Sequence, residues 1–519
     1  MNIDNGSVSP WMENTPKHLA PLREDLTTDV VVVGAGIAGL SVAYELSRAG
    51  LRVVVLDDGP IGGGESSRST AHLVTALDRR YISLERLYGA EGARMCAQSH
   101  AAAIDRIESI CSDDTISCDF CRLDGYLTLP NSNVKDGLEL IEREYAAATS
   151  AGISCNIVQR APNVAIDTGP CLQFLRQAQF NPTKYMLGLA RAITARGGLI
   201  FTGSHVTTVR GGLSPCVVTE SGHTIVARAV VLGTHTPINN TFAIHTKQVA
   251  YRSYVIGLIV PRGIVQPALL WDGYWEEKDV PYHYARLRLD DSLADELLIV
   301  GGEDHKTGRD DDQFSRFDRL ESWARLRYPS AQNVAYRWSG QIMEPHDEIA
   351  YIGENPGSER QVFIVSGDSG NGMTYACIAG MMLPSLIEGR DHPWKKMYSP
   401  SRLPTSAVGV ALAETAEMAS EYVDWVKPHP VQNLSGMKPG EGVIIRKEGK
   451  LIAISKGDDG ALVECSAICP HLKGVVRWNT VEKTWDCPCH GSRFNRYGQV
   501  LNSPANTNLA LLRSDIEAK

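Results

Sequence analysis

The chain has 519 residues, 43% of them hydrophobic and 21% charged, with a formal net charge of −9 at pH 7. That length predicts about three modules, each large enough for a core of its own. No uninterrupted apolar run reaches the span of a bilayer, so no transmembrane segment is expected, and an acidic balance without a basic tract disfavours nucleic acid and anionic membranes as partners. Residues 1–25 show neither a basic start nor an apolar centre, so no signal peptide is read and a cytoplasmic location is expected. The twelve cysteines fit a reducing compartment.

In chain order, Asp29-Val30-Val31-Val32-Val33 reads as a buried parallel strand. It runs into Gly34-Ala35-Gly36-Ile37-Ala38-Gly39, a helix to Arg48 closed by Gly50, and a second strand, Val53-Val54-Val55-Leu56, ending in Asp57. Glycines at this spacing between strand and helix admit a pyrophosphate to the helix N-terminus, and Asp57 can accept from ribose hydroxyls. FAD and NAD share that fingerprint, but no second copy follows a strand downstream, so FAD alone is expected. Cys118-Asp119-Phe120-Cys121 has no partner pair and reads as two ordinary thiols. A further buried strand over 362–365 leads to Gly367-Asp368-Ser369-Gly370-Asn371-Gly372-Met373-Thr374, which opens a helix to about Ile387. There Gly370, Asn371, Gly372 and Met373 would turn backbone amides toward the flavin ring.

Composition divides the chain into an α/β FAD-binding unit over 1–397, with a discontinuous α+β substrate domain over about 87–167 and 250–328, then a linker with a helix over 398–429. Short alternating strands separated by Gly/Asp turns make 430–519 a small all-β module. Inside it stand Cys469-Pro470-His471 and, fifteen residues later, Cys487-Pro488-Cys489-His490-Gly491-Ser492. Two Cys and two His also suit a structural zinc site by count. Each loop here supplies one of each type, as a Rieske [2Fe-2S] centre requires, with Cys469 and Cys487 on one iron and His471 and His490 on the other. A one-electron carrier is therefore expected, with Ser492 placed to donate to a cluster sulfide.

With both motifs in view, the chain resembles the DadA-like flavoproteins of the glycine/D-amino acid oxidase (DAO) family, extended by a Rieske domain. Matching stretches run from Gly62 to His72, from Asn181 to Tyr185, over His205-Val206, from Gly301 to Gly308, and from Trp338 through Gly353. The resemblance implies that Ser66, Ser69 and Thr70 lie along the flavin and that the Val206 backbone meets the adenine. It also places Ile342 where amino-acid oxidases grip the substrate carboxylate with Arg, making simple α-amino acids less expected; Arg286 or Arg288 is a candidate replacement, with solvated strand arginines as the alternative. His305 falls near an active-site histidine of the sarcosine oxidase branch and is the candidate catalytic residue. Gly340 stands where sarcosine oxidases carry a flavin-linked Cys, so non-covalent FAD is implied. Gly474 and Phe494 replace a cysteine and a tyrosine of high-potential Rieske proteins, implying a free Cys489 thiol and an intermediate potential. The expected activity is oxidation of a small amine or amino-acid derivative at the flavin, with single electrons leaving through the cluster to a protein or quinone. The alternatives are inward electron flow from a donor protein and a redox sensor without turnover.

Overall fold

The computed structural model describes residues 7–14, 18–129, 137–162, 164–238, 242–273, 282–289, 294–310, 312–357, 360–402, 409, 413, 417–418, 420–425, 427 and 434–514. Val30–Val33 and Val53–Leu56 are buried at every position, as β-branched residues in the middle of a parallel sheet should be. They sit in a six-stranded sheet whose order is Tyr351–Glu354, Val362–Ser366, Ala229–Leu232, Val30–Val33, Val53–Leu56, Leu199–Phe201. All neighbours are parallel except the edge pair Tyr351–Glu354 and Val362–Ser366. The helices Ile37–Arg48 and Gly372–Ile387 cross its face in contact with each other. Gly34 is glycine for two reasons: its φ is +107°, and a Cβ there would lie 2.5 Å from the Gly233 carbonyl oxygen.

A nine-stranded, mostly antiparallel sheet carries the second layer. Its strands include His72–Leu73, Cys121–Thr128, Cys171–Gln179, Gln248–Pro261, Leu269–Asp272, His283–Arg288, Asp295–Lys306 and Val334–Pro345. The sheet thus draws on residues outside the two segments 87–167 and 250–328 expected to form the substrate domain. The helix expected in the linker lies largely outside the described residues; those described at 409, 413, 417, 418 and 420 are helical, and Glu421–Trp425 forms a 3-10 turn.

From Gly442 onward, two four-stranded antiparallel sheets enclose a separate core containing Trp485, Phe494 and Val476. The Cys469-Pro470-His471 loop follows the strand Leu462–Ser466, and the Cys487 to His490 loop joins Thr484–Asp486 to Arg493–Asn495. This domain is not merely tethered. Glu482, on the turn before the second loop, accepts from Arg252 Nη2 at 2.7 and 2.6 Å and from Arg493 Nη2 at 2.6 Å. Arg252 belongs to the nine-stranded sheet and is 0% exposed. Burial alone would raise the Glu482 carboxyl, but Arg252, Arg493 and Arg68 outweigh it and hold it well below its ordinary value. The Gln341 amide donates to the Gly491 carbonyl at 2.8 Å, and a Cβ on Gly308 would come within 3.0 Å of Pro488 N.

Candidate active site and metal centre

A cavity of about 400 Å³ runs from the strand ends of the parallel sheet to the face of the nine-stranded sheet. Of the residues expected around FAD, Gly34, Gly36, Ile37, Ala38, Asp57, Ser66, Ser69, Thr70, Val206, Gly370, Asn371, Gly372 and Met373 all line it. Ala35 and Gly39 do not, and each has another task. The Ala35 amide donates to Asp57 Oδ2 at 2.5 Å, fixing the acid at the end of its strand, while a Cβ on Gly39 would fall 1.8 Å from the Gly34 carbonyl oxygen. The helix Ile37–Arg48 begins at Gly36 with no side-chain cap, so its first amides are not all satisfied by the chain's own cap. That is the donor set an anionic pyrophosphate takes. Ser66 Oγ accepts from the Ile37 amide at 3.0 Å and so pins the 62–72 segment along the cavity. Burial, then the neighbouring Asp58, pushes the Asp57 carboxyl up, against the pull of the Ala35 and Gly59 amides.

At the other end, Gly367, Ser369 and Gly370 have φ of 71°, 42° and 73°, turning the chain sharply before Gly372–Ile387. A Cβ on Gly370 would sit 2.2 Å from Asp78 Oδ2. Asp78 and Asp368 both line this end, beside Trp271, Tyr282, Tyr284 and Ile342. Burial pushes Asp78 up to about 6 and also raises Asp368, which accepts from the Met343 amide at 2.8 Å. Just behind, burial lifts Glu344 to about 7.

His305 is not brought to this cavity. Its Nε2 is 2.9 Å from the Tyr254 hydroxyl, its ring stacks on Tyr254, and burial followed by the nearby Arg316 lowers it to about 4. Its neighbour Asp304 instead meets Ser253 and Tyr282, two cavity-lining residues, and burial raises it to about 7. Neither reading of Arg286 holds. It is 3% exposed, and its Nη1 donates to the carbonyls of Thr70, Ala71 and Phe180 at 2.9, 2.8 and 3.1 Å, which holds the cavity-lining segment at Thr70 in place.

In the C-terminal domain, the Cys469 and Cys487 thiols are in hydrogen-bonding contact, and the imidazoles of His471 and His490 lie 5.0 Å apart between centroids. Among the described residues no three His, Cys, Asp or Glu converge on one point. A sulfur pair and an imidazole pair suit two irons with two ligands each. Burial lowers His471 to about 4 and, with His471 as neighbour, His490 to about 3, which keeps both in the neutral form that binds a metal. His490 Nε2 is buried without a hydrogen-bond partner. The Ser492 hydroxyl lies against Cys469. A Cβ on Gly474 would be 2.6 Å from Cys489 Sγ, so a cysteine there could reach it, and Cys489 is free in its absence.

Sequence reasoning missed the contacts that brace and seat the ligand loops. The Tyr422 hydroxyl donates to the Leu472 carbonyl at 2.7 Å and Trp425 Nε1 to that of Lys473 at 2.8 Å, bracing the first ligand loop from the linker. The imidazole edge of the C-terminal domain meets the flavin domain at His245, whose ring is 4.7 Å from His471 and 6.2 Å from His490. From His245 a polar chain leads back through Thr236 Oγ1 at 3.4 Å, Gln248 at 3.0 Å, Ser366 at 3.1 Å and the His235 carbonyl at 2.9 Å. Ser366 and His235 line the cavity.

The family profile described as FAD dependent oxidoreductase (DAO) matches residues 29–386, and that of the Rieske [2Fe-2S] domain matches 425–513. The chain is 28% identical over 499 residues to the Rieske 2Fe-2S iron-sulfur protein YhfW of Bacillus subtilis (strain 168), covering 95% of each chain. It is also 28% identical over 382 residues to gamma-glutamylputrescine oxidoreductase of Escherichia coli (strain K12), covering 71% of this chain and 85% of that one. The crystal structure of glycine oxidase from Geobacillus kaustophilus shares the fold, with a TM-score of 0.59 at 19% identity over 73% of this chain and 99% of that chain. The cofactors are accordingly FAD and a [2Fe-2S] cluster, and no helix among the described residues is long and apolar enough to cross a membrane. The chain belongs to the DAO family of FAD-dependent oxidoreductases and carries a C-terminal Rieske [2Fe-2S] domain.

Proposed function

We propose that the protein oxidises a small amine or amino-acid derivative at the carbon beside nitrogen and passes the electrons singly through its Rieske cluster to a protein or quinone acceptor. Residues 1–397 would form the flavin unit, 398–429 the linker and 430–519 the cluster domain. Bound FAD supplies two-electron acceptance and the cluster one-electron carriage. The backbone around Gly34 and Gly36 and the amides that follow Ile37 at the start of Ile37–Arg48 would hold the pyrophosphate, Asp57 a ribose hydroxyl, and the Gly370 to Met373 turn the flavin ring. Cys469 and Cys487 would hold one iron, and His471 and His490 the other.

At the ring end, Ile342 offers no partner to a carboxylate, while Asp78 and Asp368 would attract an ammonium group. A carboxyl held near 6, as Asp78 is, can take the proton that an amine must lose before its C–H bond is oxidised. The similarity to gamma-glutamylputrescine oxidoreductase supports an amine as the substrate class. The observation that carries the electron path is the seating of the His471 and His490 edge on His245, with a hydrogen-bonded chain from there to the cavity wall. Anaerobic mixing with a panel of amines tests this: bleaching of the flavin by an amine is expected, and reduction only by a donor protein would favour inward electron flow instead.

A further inference from the structure

The flavin cavity is closed on one side by the other domain. Val500, Leu501, Asn502, Ser503, Ala505 and Asn506 all line it. Three of these are tied to segments that face the cofactor from the flavin domain. The Asn506 side chain donates to the carbonyls of Val206 and Thr207 at 3.0 and 3.4 Å, and its own carbonyl is 3.1 Å from His205 Nε2. The other His205 nitrogen is 3.2 Å from Asp58 Oδ2, next to the ribose acid Asp57. Ser503 Oγ donates to the Thr234 carbonyl at 3.0 Å, and Asn502 Nδ2 to Glu65 Oε1 at 2.8 Å. The same segment is built into the cluster cage: the Ala505 amide donates at 2.9 Å to Ser492 Oγ, a fully buried hydroxyl that also lies against Cys469.

We propose that FAD and the cluster bind cooperatively through this shared wall. An assembled cluster fixes the two ligand loops, Ser492 among them, and so holds 500–506 over the nucleotide half of the cavity. Without it, the loops lose their common anchor and the wall over Val206 and Asp58 loosens. Linkage makes the effect reciprocal: bound FAD must tighten retention of the cluster by the same factor that the cluster tightens FAD, and in its absence the C-terminal domain is held less firmly. The proposal rests on the two cofactor assignments, not on the substrate or the direction of electron flow.

The test measures the FAD dissociation constant of the full chain by flavin fluorescence after equilibrium dialysis, without substrate, with iron content and the cluster's paramagnetic resonance followed in parallel. Asn506→Ala removes two hydrogen bonds to cofactor-lining backbone, and FAD is expected to bind about 5- to 30-fold more weakly while the cluster signal stays. Cys487→Ser, which cannot hold the cluster, is expected to weaken FAD as well, and FAD removal from the parent protein should speed proteolysis of the C-terminal domain. Lys450→Ala, at the exposed first residue of the strand Lys450–Lys456, should change neither. Parent-like FAD binding in both Asn506→Ala and Cys487→Ser would overturn the proposal. Weakening in Asn506→Ala with none in a folded, cluster-free Cys487→Ser would overturn it too, leaving the segment a lid without coupling. If Cys487→Ser does not fold, Asn506→Ala and the proteolysis of FAD-free protein decide.

Discussion

Replacing Glu482 by Gln is expected to loosen the cluster domain from the flavin domain without unfolding either. The carboxylate is 6% exposed and takes Arg252 Nη2 on both oxygens, at 2.7 and 2.6 Å, and Arg493 at 2.6 Å. Removing one partner from a buried ion pair costs about 3–5 kcal/mol, because the other charge stays buried and unpaired. Arg493 keeps Asp486 at 3.0 Å, and Arg252 keeps Glu65 at 3.8 Å and Ser339, so the cost should fall near the lower end, at about 3 kcal/mol. Urea unfolding followed by tryptophan fluorescence, with limited proteolysis of the cluster domain as a second probe, would read this as a new early transition. Exchanging both Arg252 and Glu482 for Met should cost far less, since the pair is removed together. A Glu482→Gln protein within about 0.5 kcal/mol of the parent, with unchanged proteolysis, would refute the argument that this network docks the domain.

Asp57→Ala is expected to weaken FAD retention by about 1.5–3 kcal/mol, the worth of a hydrogen bond to a charged acceptor, measured by equilibrium dialysis. His490→Ala should abolish the cluster's paramagnetic resonance signal, and native protein carrying zinc in place of iron and sulfide would contradict the ligand assignment. Gly370→Ala should disrupt the ring end of the cavity, since its Cβ would meet Asp78 and its φ is +73°, and flavin absorbance would report the loss. The hydrogen bond to Asp58 raises His205, so the contact it helps make to Asn506 is fully present below the unfolded pKa of about 6.5 and is lost as pH rises through the higher folded value. FAD affinity should therefore fall as pH rises above about 6.5, and His205→Phe should flatten that dependence.

The candidate nucleotide half of the cavity was legible because its chemistry is local: glycines, a helix start and a strand-end acid lie within Gly34 to Asp57. The candidate iron ligands were legible for the same reason, two loops of fixed spacing. His305 was not, because a strand shows which residues alternate but not which face is the flavin's. Register shifts between Arg252 and Tyr254, and left-handed φ values at Gly302 and Glu303, put Asp304 rather than His305 on that side. Arg286 looked available because sequence cannot show that backbone carbonyls occupy it. The pairing of Arg252 with Glu482, the reach of Asn506 to Val206 and the meeting of His245 with His471 join residues hundreds of positions apart, and no local pattern encodes them.

The central claim, that electrons travel between flavin and cluster inside one chain, is tested most directly by rapid freeze-quench of the anaerobic, oxidised protein mixed with a substrate amine. Flavin absorbance and the reduced-cluster resonance are read on the same samples. The account predicts that the cluster signal grows in after the flavin bleaches, at a rate independent of protein concentration. A cluster that stays oxidised while the flavin is fully reduced, or one that is reduced only in proportion to protein concentration, would contradict it.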